Sequence, residues 1–287
     1  MSGIMKLRIW DVQHGACAML QHTEVEKLAM IDSGHNAEEE WYPSSYIINT
    51  LGRKSVDYLF ITNADLDHMS DLDGLWTAGI DVKSLTRSQG ISPQDLRTIK
   101  MKTASDGKLG ADIERYLKIH ESYNQPVTTP FNDHMGGVQR QTFSNSYPRF
   151  KETNDLSLAI FFKFEGFKIL FPGDLERGGW LALLENPEFV KELDGTSVLV
   201  ASHHGRKNGY CEEIFKYFEP QCVVFSDKQI DHGTQEGMTE MYAQHVSDRG
   251  VQLSNGDQRW VLTTRSDGWI HFAVDSAGFE VFTEVTS

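Results

Sequence analysis

The feature that most constrains the fold of this chain is a short apolar run that ends abruptly in a cluster of polar side chains. The run from Val56 to Thr62 is rich in β-branched and aromatic residues, which is typical of a buried strand. Four polar residues follow it within six positions: Asn63, Asp65, Asp67 and His68. Because alternate residues of an extended chain point the same way, we expect the first three to converge and the histidine to turn towards a second point. Carboxylates this dense need a cation, so the geometry predicts two neighbouring metal sites.

A solvated acidic loop is the simpler interpretation of the same cluster. Asp and Asn side chains often cap helices, and a helix is expected to begin near Ser70 or Asp71. The segment by itself does not decide between a helix cap and a metal site.

Three further strand-like runs end in the same kinds of residue. The run that begins at Lys168 ends in Gly173 and Asp174, where the glycine allows close approach of the backbone. The next run ends in the pair His203 and His204. The loop after the fourth run, residues 222–226, carries three more candidates: Asp227, Asp231 and His232. Four buried strands with polar ends predict one shared pocket.

Taken together, these segments resemble the metallo-β-lactamase superfamily, and within it the soluble hydrolase domain of the ComEC-type DNA-uptake proteins and its stand-alone relatives. The resemblance covers nearly the whole chain. Its motifs occur in order and at plausible spacing, as D-V-Q-H-G-A-C at 11–17, I-D-S-G at 31–34, T-N-A-D-L-D-H at 62–68, N-D-L-S at 154–157, G-D at 173–174 and H-H-G at 203–205. A late histidine loop of that family is matched by His232.

The resemblance implies an α/β fold in four layers, the αββα sandwich, and a site that holds one or two divalent ions. The metal ligands that it implies are Asn63, Asp65, Asp67, His68, Asp174, His203 and His232. The catalytic residues that it implies are Asp67, Asp174, His203 and His204. Oxygen ligands favour Mn²⁺ or Mg²⁺ in the first position, whereas the histidines leave Zn²⁺ open for the second.

One residue departs from the metal motif of this family. Asn63 stands where the family has its first metal-binding histidine, and no nearby residue replaces it. An amide oxygen binds hard cations acceptably and softer ones poorly. We therefore expect the first ion to be weakly bound or absent.

The resemblance implies hydrolysis of a phosphodiester in nucleic acid or in a nucleotide. Asp174 is expected to bridge the ions and Asp67 to orient the nucleophile, while whichever of His203 and His204 does not bind a metal protonates the leaving oxygen. An alternative from a different class is a degenerate protein of this fold that binds a ligand or partner without chemistry. Hydrolysis of a thioester or lactam is a third hypothesis, and no sequence feature favours it.

Composition fits one domain that spans residues 1–287. The chain has 287 residues and 39% hydrophobic content, which suffices for a full core. No stretch approaches the roughly 18 apolar residues that a membrane span needs, so we expect a cytoplasmic protein without a membrane partner. Three scattered cysteines predict buried thiols rather than disulfides or a thiolate zinc site: Cys17, Cys211 and Cys222.

An insert at about residues 88–147 interrupts the strand pattern and lies where a substrate lid would sit. Within it, residues 111–122 have the pattern of a charged helix. The net charge of −14 argues against a broad nucleic-acid surface. Locally, however, Arg206 and Lys207 follow the histidine pair and are placed to meet a phosphate.

Overall fold

The strands of this protein are short, and all are shorter than eight residues in the part of the chain that the structure describes. The structure is a computed structural model that describes residues 3–104, 107–229 and 233–286. The strands are β1 (Met5–Ile9), β2 (Ala18–His22), β3 (Val25–Ile31), β4 (Ser55–Val56), β5 (Tyr58–Phe60), β6 (Asp81–Val82), β7 (Leu85–Thr86), β8 (Gln139–Ser144), β9 (Leu158–Phe164), β10 (Phe167–Phe171), β11 (Val198–Val200), β12 (Cys222–Phe225), β13 (Val251–Gln252), β14 (Gln258–Arg259), β15 (Val261–Thr263), β16 (Ile270–Asp275) and β17 (Gly278–Thr283).

Helices connect these strands and cover the sheets. They are α1 (Pro43–Asn49), α2 (Leu72–Thr77), α3 (Pro93–Thr103), α4 (Ala111–Ser122), α5 (Phe131–His134), α6 (Arg177–Leu183), α7 (Pro187–Leu193), α8 (Met238–Ala243) and α9 (Thr264–Asp267). In α3 the start is well defined, because Ser92 accepts a hydrogen bond from the backbone N–H of Asp95 and Pro93 occupies the first turn. Across the described ranges, no helix is both long and apolar enough to cross a bilayer.

The strands form two large sheets. The first has the order β17-β16-β1-β2-β3-β5-β7 and the second the order β15-β12-β11-β10-β9-β8. Each sheet combines antiparallel hairpins with parallel strands: β3 pairs with β5 in parallel, and β10, β11 and β12 are parallel neighbours. Since parallel strands end at the same edge of a sheet, the residues that follow β5, β10, β11 and β12 are brought towards one edge of the sandwich.

Alternation along the strands divides the core into three layers. In β9, Ile160 and Phe162 face the space between the sheets, whereas Ala159 and Phe161 face outward. The outer face of the first sheet packs against α1 to α4 through residues such as Leu72. The outer face of the second sheet packs against α6, α7 and α8. Two sheets with a helical layer on each outer side are the four-layer αββα sandwich, so the predicted fold class is confirmed.

The predicted insert contains more regular structure than its sequence indicates. Helix α4 has the expected bounds, Ala111–Ser122. Strand β8 was not expected, because Gln139–Ser144 includes a single large apolar side chain, Phe143. It forms the edge of the second sheet by pairing with β9, and an edge strand needs only one partner. All three cysteines are buried and unpaired, as predicted.

Candidate metal centre

The loop after β5 turns sharply at Asp65. Residues Leu66–His68 form a 3₁₀ turn with Asp65 as its N-cap, so the extended geometry ends there. Two earlier segments hold this turn in place: the N–H of Ser33 donates to the carbonyl of His68 at 2.8 Å, and the N–H of Ala16 donates to the carbonyl of Asp67 at 3.2 Å. The opening turn and the I-D-S-G strand end therefore serve to position the metal motif.

The two histidines after β11 have an unusual backbone. His203 and His204 both lie in the left-handed region, with φ of 52° and 54°. This conformation is energetically unfavourable for residues other than glycine, and such backbone strain is concentrated at functional sites. The next residue, Gly205, also has positive φ, and a Cβ there would collide with the ring of Phe225. This tight turn directs the ring of His204 towards the loop after β5.

Four side chains from three strand ends meet at one point. His68 Nε2 lies 2.9 Å from Asp174 Oδ1, and His204 Nε2 lies 3.1 Å from Asp67 Oδ2 and 3.6 Å from Asp174 Oδ1. One ligand atom from each of these residues lies within 4.8 Å of all the others. Ligands bound about 2.1 Å from one ion are separated by roughly 3 to 3.5 Å. The spacing of this group, called the four-residue cluster below, therefore fits a single divalent ion.

Hydrogen bonds behind the rings determine which imidazole nitrogens face the cluster. His204 Nδ1 lies 2.9 Å from the carbonyl of Ser226, which only accepts, so Nδ1 must donate. His68 Nδ1 likewise donates to Asp32 Oδ2 at 2.9 Å. With Nδ1 protonated, each Nε2 atom faces the carboxylates of Asp67 and Asp174, where it donates a proton to a carboxylate or, once deprotonated, can bind a metal ion. Orientation of a metal-binding imidazole by a carboxylate or carbonyl is the usual arrangement at metal sites.

The electrostatics of the cluster favour positive charge. Burial would lower the pKa of the His68 imidazole, but the carboxylates of Asp174 and Asp32 outweigh it and raise that pKa well above its usual value. Burial would raise the pKa of the Asp174 carboxyl, yet the charges of His68 and His204 hold it well below its usual range. The carboxylates stay ionised, and protons on the imidazoles or a divalent ion balance them.

His14 and Arg206 border the cluster. His14 Nε2 lies 3.4 Å from Asp67 Oδ2, and its ring centroid is 4.5 Å from that of His204. Burial and the neighbouring charge of His204 lower the pKa of His14 to about 4, so it is neutral at pH 7. Arg206 Nη2 lies 3.3 Å from His14 Nε2. The predicted proximity of Arg206 to the site is therefore observed.

Asn63 and Asp65 lie outside the four-residue cluster. Asp65 Oδ2 accepts hydrogen bonds from Thr153 Oγ1 at 2.8 Å and Asn63 Nδ2 at 3.2 Å, and Asp65 Oδ1 is paired with Lys100. Asp65 and Asp67 have different partners, because the 3₁₀ turn interrupts the alternation between them, and the metal-ligand roles of Asn63 and Asp65 stay predictions. Asp67 instead faces the same point as His68.

His203 lies next to the cluster without belonging to it. Its Nδ1 atom is 3.7 Å from Glu176 Oε1 and has no hydrogen-bond partner among the described groups. Burial lowers the pKa of its imidazole, partly opposed by the charge of Asp174. Of the histidine pair, His204 thus takes the cluster position, and His203 keeps a nitrogen free beside it.

The fourth strand end contributes a buried ion pair. Asp227 is fully buried and paired with Arg265, and burial raises the pKa of its carboxyl to about 7. Asp231 and His232 lie outside the described residues, so the predicted role of His232 as a ligand stays a prediction.

Sequence reasoning missed three side chains that shape the site. Asp32 was noted only as part of a motif, although its motif position at a strand end was a usable signal. Glu176 and Lys100 carry no such signal: Lys100 is one of several basic residues in a segment with the composition of a solvated face. Their roles depend on contacts that span the chain.

This chain is similar to known proteins in sequence and in structure. No family model matches the chain. ComE operon protein 3 of Bacillus subtilis (strain 168) is 24% identical over 227 residues, and the match covers 78% of this chain but spans only 25% of that protein. A mutant of the CmlA β-hydroxylase, an enzyme of Streptomyces venezuelae, superposes with a TM-score of 0.50 at 11% identity over 93% of this chain and 53% of the other. The metallo-β-lactamase fold protein YhfI from Bacillus subtilis superposes with a TM-score of 0.49 at 11% identity, over 94% of this chain and 99% of YhfI.

Proposed function

We propose that this chain, which has the metallo-β-lactamase fold, is a metal-dependent hydrolase that cleaves a phosphodiester in nucleic acid or in a nucleotide. One observation carries the proposal: four potential ligand atoms from Asp67, His68, Asp174 and His204 converge within 4.8 Å of one another. A structural polar cluster would pair such carboxylates with Lys or Arg. Here the partners of these carboxylates are imidazoles alone among the described residues, which favours a metal centre.

The four-residue cluster would hold the ion through two imidazole nitrogens and two carboxylate oxygens. This donor set suits Mn²⁺ or Zn²⁺ better than Mg²⁺, which prefers oxygen ligands. When bound, a divalent ion polarises a phosphoryl or carbonyl group and makes water a stronger nucleophile near neutral pH.

The protein's own residues have separate tasks around that centre. Asp67 is the cluster member most open to solvent, with 22% of its side chain exposed, so we assign it to orienting the attacking nucleophile. Asp32 and the carbonyl of Ser226 keep the two Nε2 atoms aimed at the cluster. We assign proton transfer to the leaving oxygen to His203, whose Nδ1 has no hydrogen-bond partner among the described groups.

Arg206 favours a phosphate over a carbonyl substrate. It is partly buried beside His14 at the rim of the cluster and brings a permanent positive charge to a region that is otherwise acidic. The net charge of −14 opposes contact with a long duplex. A single strand or a small nucleotide, which contacts the protein mainly at the site, suits this charge distribution best.

The proposal is tested by a metal screen with purified protein. Mn²⁺, Zn²⁺ and Mg²⁺ are each added to protein stripped by chelation and assayed against bis-p-nitrophenyl phosphate, single-stranded DNA, RNA and cyclic dinucleotides. We expect hydrolysis with Mn²⁺ or Zn²⁺, and we expect Asp67→Ala to abolish it. Asp133→Asn, which removes an exposed carboxylate on α5, is the matched control and should remain active.

Failure to hydrolyse any of these substrates with any of the metals would reject the proposed reaction. It would favour the alternative in which the chain binds a ligand or partner without chemistry. Hydrolysis that survives Asp67→Ala unchanged would equally reject the assignment of the site.

A further inference from the structure

The corner formed by Asn63 and Asp65, beside the four-residue cluster, contains an ammonium group of the protein itself. We infer that Lys100 supplies there the positive charge that a second metal ion would otherwise supply, so that the chain binds one divalent ion rather than two. The inference rests on the proposed function for the identity of that ion. It concerns the number of ions, which can be measured without reference to turnover.

Protein donors engage both oxygens of the Asp65 carboxylate. Its Oδ1 is paired with Lys100, and its Oδ2 accepts from Thr153 Oγ1 at 2.8 Å and from Asn63 Nδ2 at 3.2 Å. Three donors thus engage the two oxygens of one carboxylate. An incoming cation would have to displace an ammonium that is itself 11% exposed.

The Asn63 amide is oriented with its nitrogen towards Asp65. Its Nδ2 donates both to Asp65 Oδ2 and to Asn154 Oδ1, each at 3.2 Å. Reversing the amide would place its oxygen against two acceptors, so the assignment of nitrogen and oxygen is determined. The atom that faces Asp65 is therefore a donor and cannot bind a metal. Asn63 Oδ1 is buried without a partner, but one amide oxygen without Asp65 does not make a divalent site.

The corner continues into a chain of hydrogen bonds between protein side chains. Asn154 Nδ2 donates to Glu176 Oε1 at 3.1 Å, and Asn208 Nδ2 donates to the same oxygen at 2.7 Å. The Asn63, Asp65 and Glu176 side chains are thus held by other protein groups. In the four-residue cluster, by contrast, the carboxylates contact imidazole nitrogens, which can exchange a proton for a metal ion. Among the described His, Cys, Asp and Glu side chains, this cluster is the group whose ligand atoms have the spacing of a metal site.

Helix α3 places Lys100 at this corner. Lys100 is in the last part of α3. Leu96 of this helix is buried in the same hydrophobic cluster as Leu117 of α4, and an ion pair between Arg97 and Glu114 links the two helices. The helix belongs to the insert at 88–147. The insert therefore contributes a charged group to the edge of the site, whether or not it also covers a substrate.

Counting bound ions tests the inference directly. Protein stripped by chelation is titrated with Mn²⁺, and bound ion is measured by isothermal calorimetry and by electron paramagnetic resonance, which also reports spin coupling between adjacent Mn²⁺ ions. We expect one ion per chain and an uncoupled spectrum. Two ions of comparable affinity, or a coupled spectrum, would overturn the inference while leaving the proposed hydrolase intact. One bound ion without hydrolysis would support the inference and reject the proposed hydrolase. No bound ion would reject both the inference and the proposed hydrolase.

Substitutions at Asn63, Asp65 and Lys100 test whether this corner limits the number of bound ions. Asp65→Asn should leave Mn²⁺ affinity within about twofold, since Asp65 is not a ligand, whereas loss of a true ligand weakens binding by at least about tenfold. The double variant Lys100→Ala/Asn63→His should bind a second ion. The double variant Lys100→Met/Asn63→His should do the same, and its methionine keeps most of the aliphatic part of the lysine side chain. Lys102→Ala, an exposed lysine on the same helix, is the control and should bind one ion. If both double variants fold but still bind one ion, Lys100 does not stand in for a metal.

Discussion

Asp65 and Asp67 lie in one short loop, but their carboxylates have different kinds of partner. At Asp65 the carboxylate is neutralised by Lys100 and by two neutral donors, all from the protein. At Asp67, only two residues later, the carboxylate faces His204 and His14, and the adjacent His68 faces Asp174. Neighbours in sequence can therefore belong to a closed ion-pair network and to an open metal centre.

The cause of this difference is local backbone geometry. An extended loop would aim Asp65 and Asp67 to the same side, but the 3₁₀ turn at Leu66–His68 separates them. The turn is held by hydrogen bonds to Ser33 and Ala16, which are remote in sequence. The structure thus separates Asp65, which lies in an internal salt bridge, from Asp67, which lies in the candidate metal centre.

The largest effect that would test this division is expected from Asp174→Ala. Its carboxylate contacts both His68 and His204, so its loss removes the centre of the cluster. We expect Mn²⁺ binding to disappear and kcat/KM to fall by at least about a thousandfold. Calorimetry and the phosphodiester assay measure the two effects. Retention of both Mn²⁺ binding and activity would show that the cluster is not the metal centre.

A smaller effect is expected from Asp32→Asn, which leaves every cluster residue in place. Asp32 orients His68 through Nδ1, and loss of such a partner commonly costs about 10- to 100-fold in metal affinity. Asp57→Asn is the matched control, because Asp57 is a buried carboxylate paired with Arg53 away from the cluster. It should lower the free energy of unfolding without changing Mn²⁺ affinity. Equal affinities for Asp32→Asn and the wild type would contradict the role of Asp32.

His120 lies away from the candidate metal centre, so its titration should affect the stability of the fold without affecting metal binding. Burial lowers the pKa of His120 to about 4, below the ordinary 6.5. A lowered pKa means that protonation favours the unfolded chain, so the stabilisation is full above pH 6.5 and is lost as the pH falls towards 4. The loss from this group between pH 7 and pH 5 is about 2 kcal/mol.

Replacement by an uncharged side chain should remove that contribution. We expect His120→Gln to reduce the fall in the free energy of unfolding between pH 7 and pH 5 by about 2 kcal/mol, measured by urea denaturation at both values. The variant should leave Mn²⁺ affinity at pH 7 unchanged. An unchanged pH dependence of unfolding would mean that His120 titrates normally in the folded protein.

The smallest effect concerns the closed end of the loop. Lys100→Ala leaves Asp65 without its cationic partner, but one third of the Asp65 side chain is exposed and water compensates in part. We expect a loss of about 1 kcal/mol in the free energy of unfolding relative to Lys102→Ala. Thermal and urea denaturation of the two variants provide the comparison. Equal stabilities would indicate that the pair does not hold α3 against the loop.

Much of the architecture could be read from the sequence because it depends on local patterns. Apolar runs indicated the strands around β5, β10, β11 and β12, and the pattern of residues 111–122 indicated α4. Strand β8 was not predicted, because an edge strand buries few side chains and Phe143 is its single large apolar residue. A shared pocket for Asp67, His68, Asp174 and His204 was expected from their positions at strand ends and from the order of motifs that resembles a known family.

By itself, the sequence determined that buried strands would end in carboxylates and imidazoles, since hydrophobic patterning and residue chemistry are local properties. Only the tertiary structure decided which of those groups share a point. Lys100 reaches Asp65 across 35 positions, and His204 reaches Asp67 across 137. Contacts at such separations depend on how the sheets and helices pack, and Coulomb interactions at about 3 Å follow that packing rather than the order of the residues.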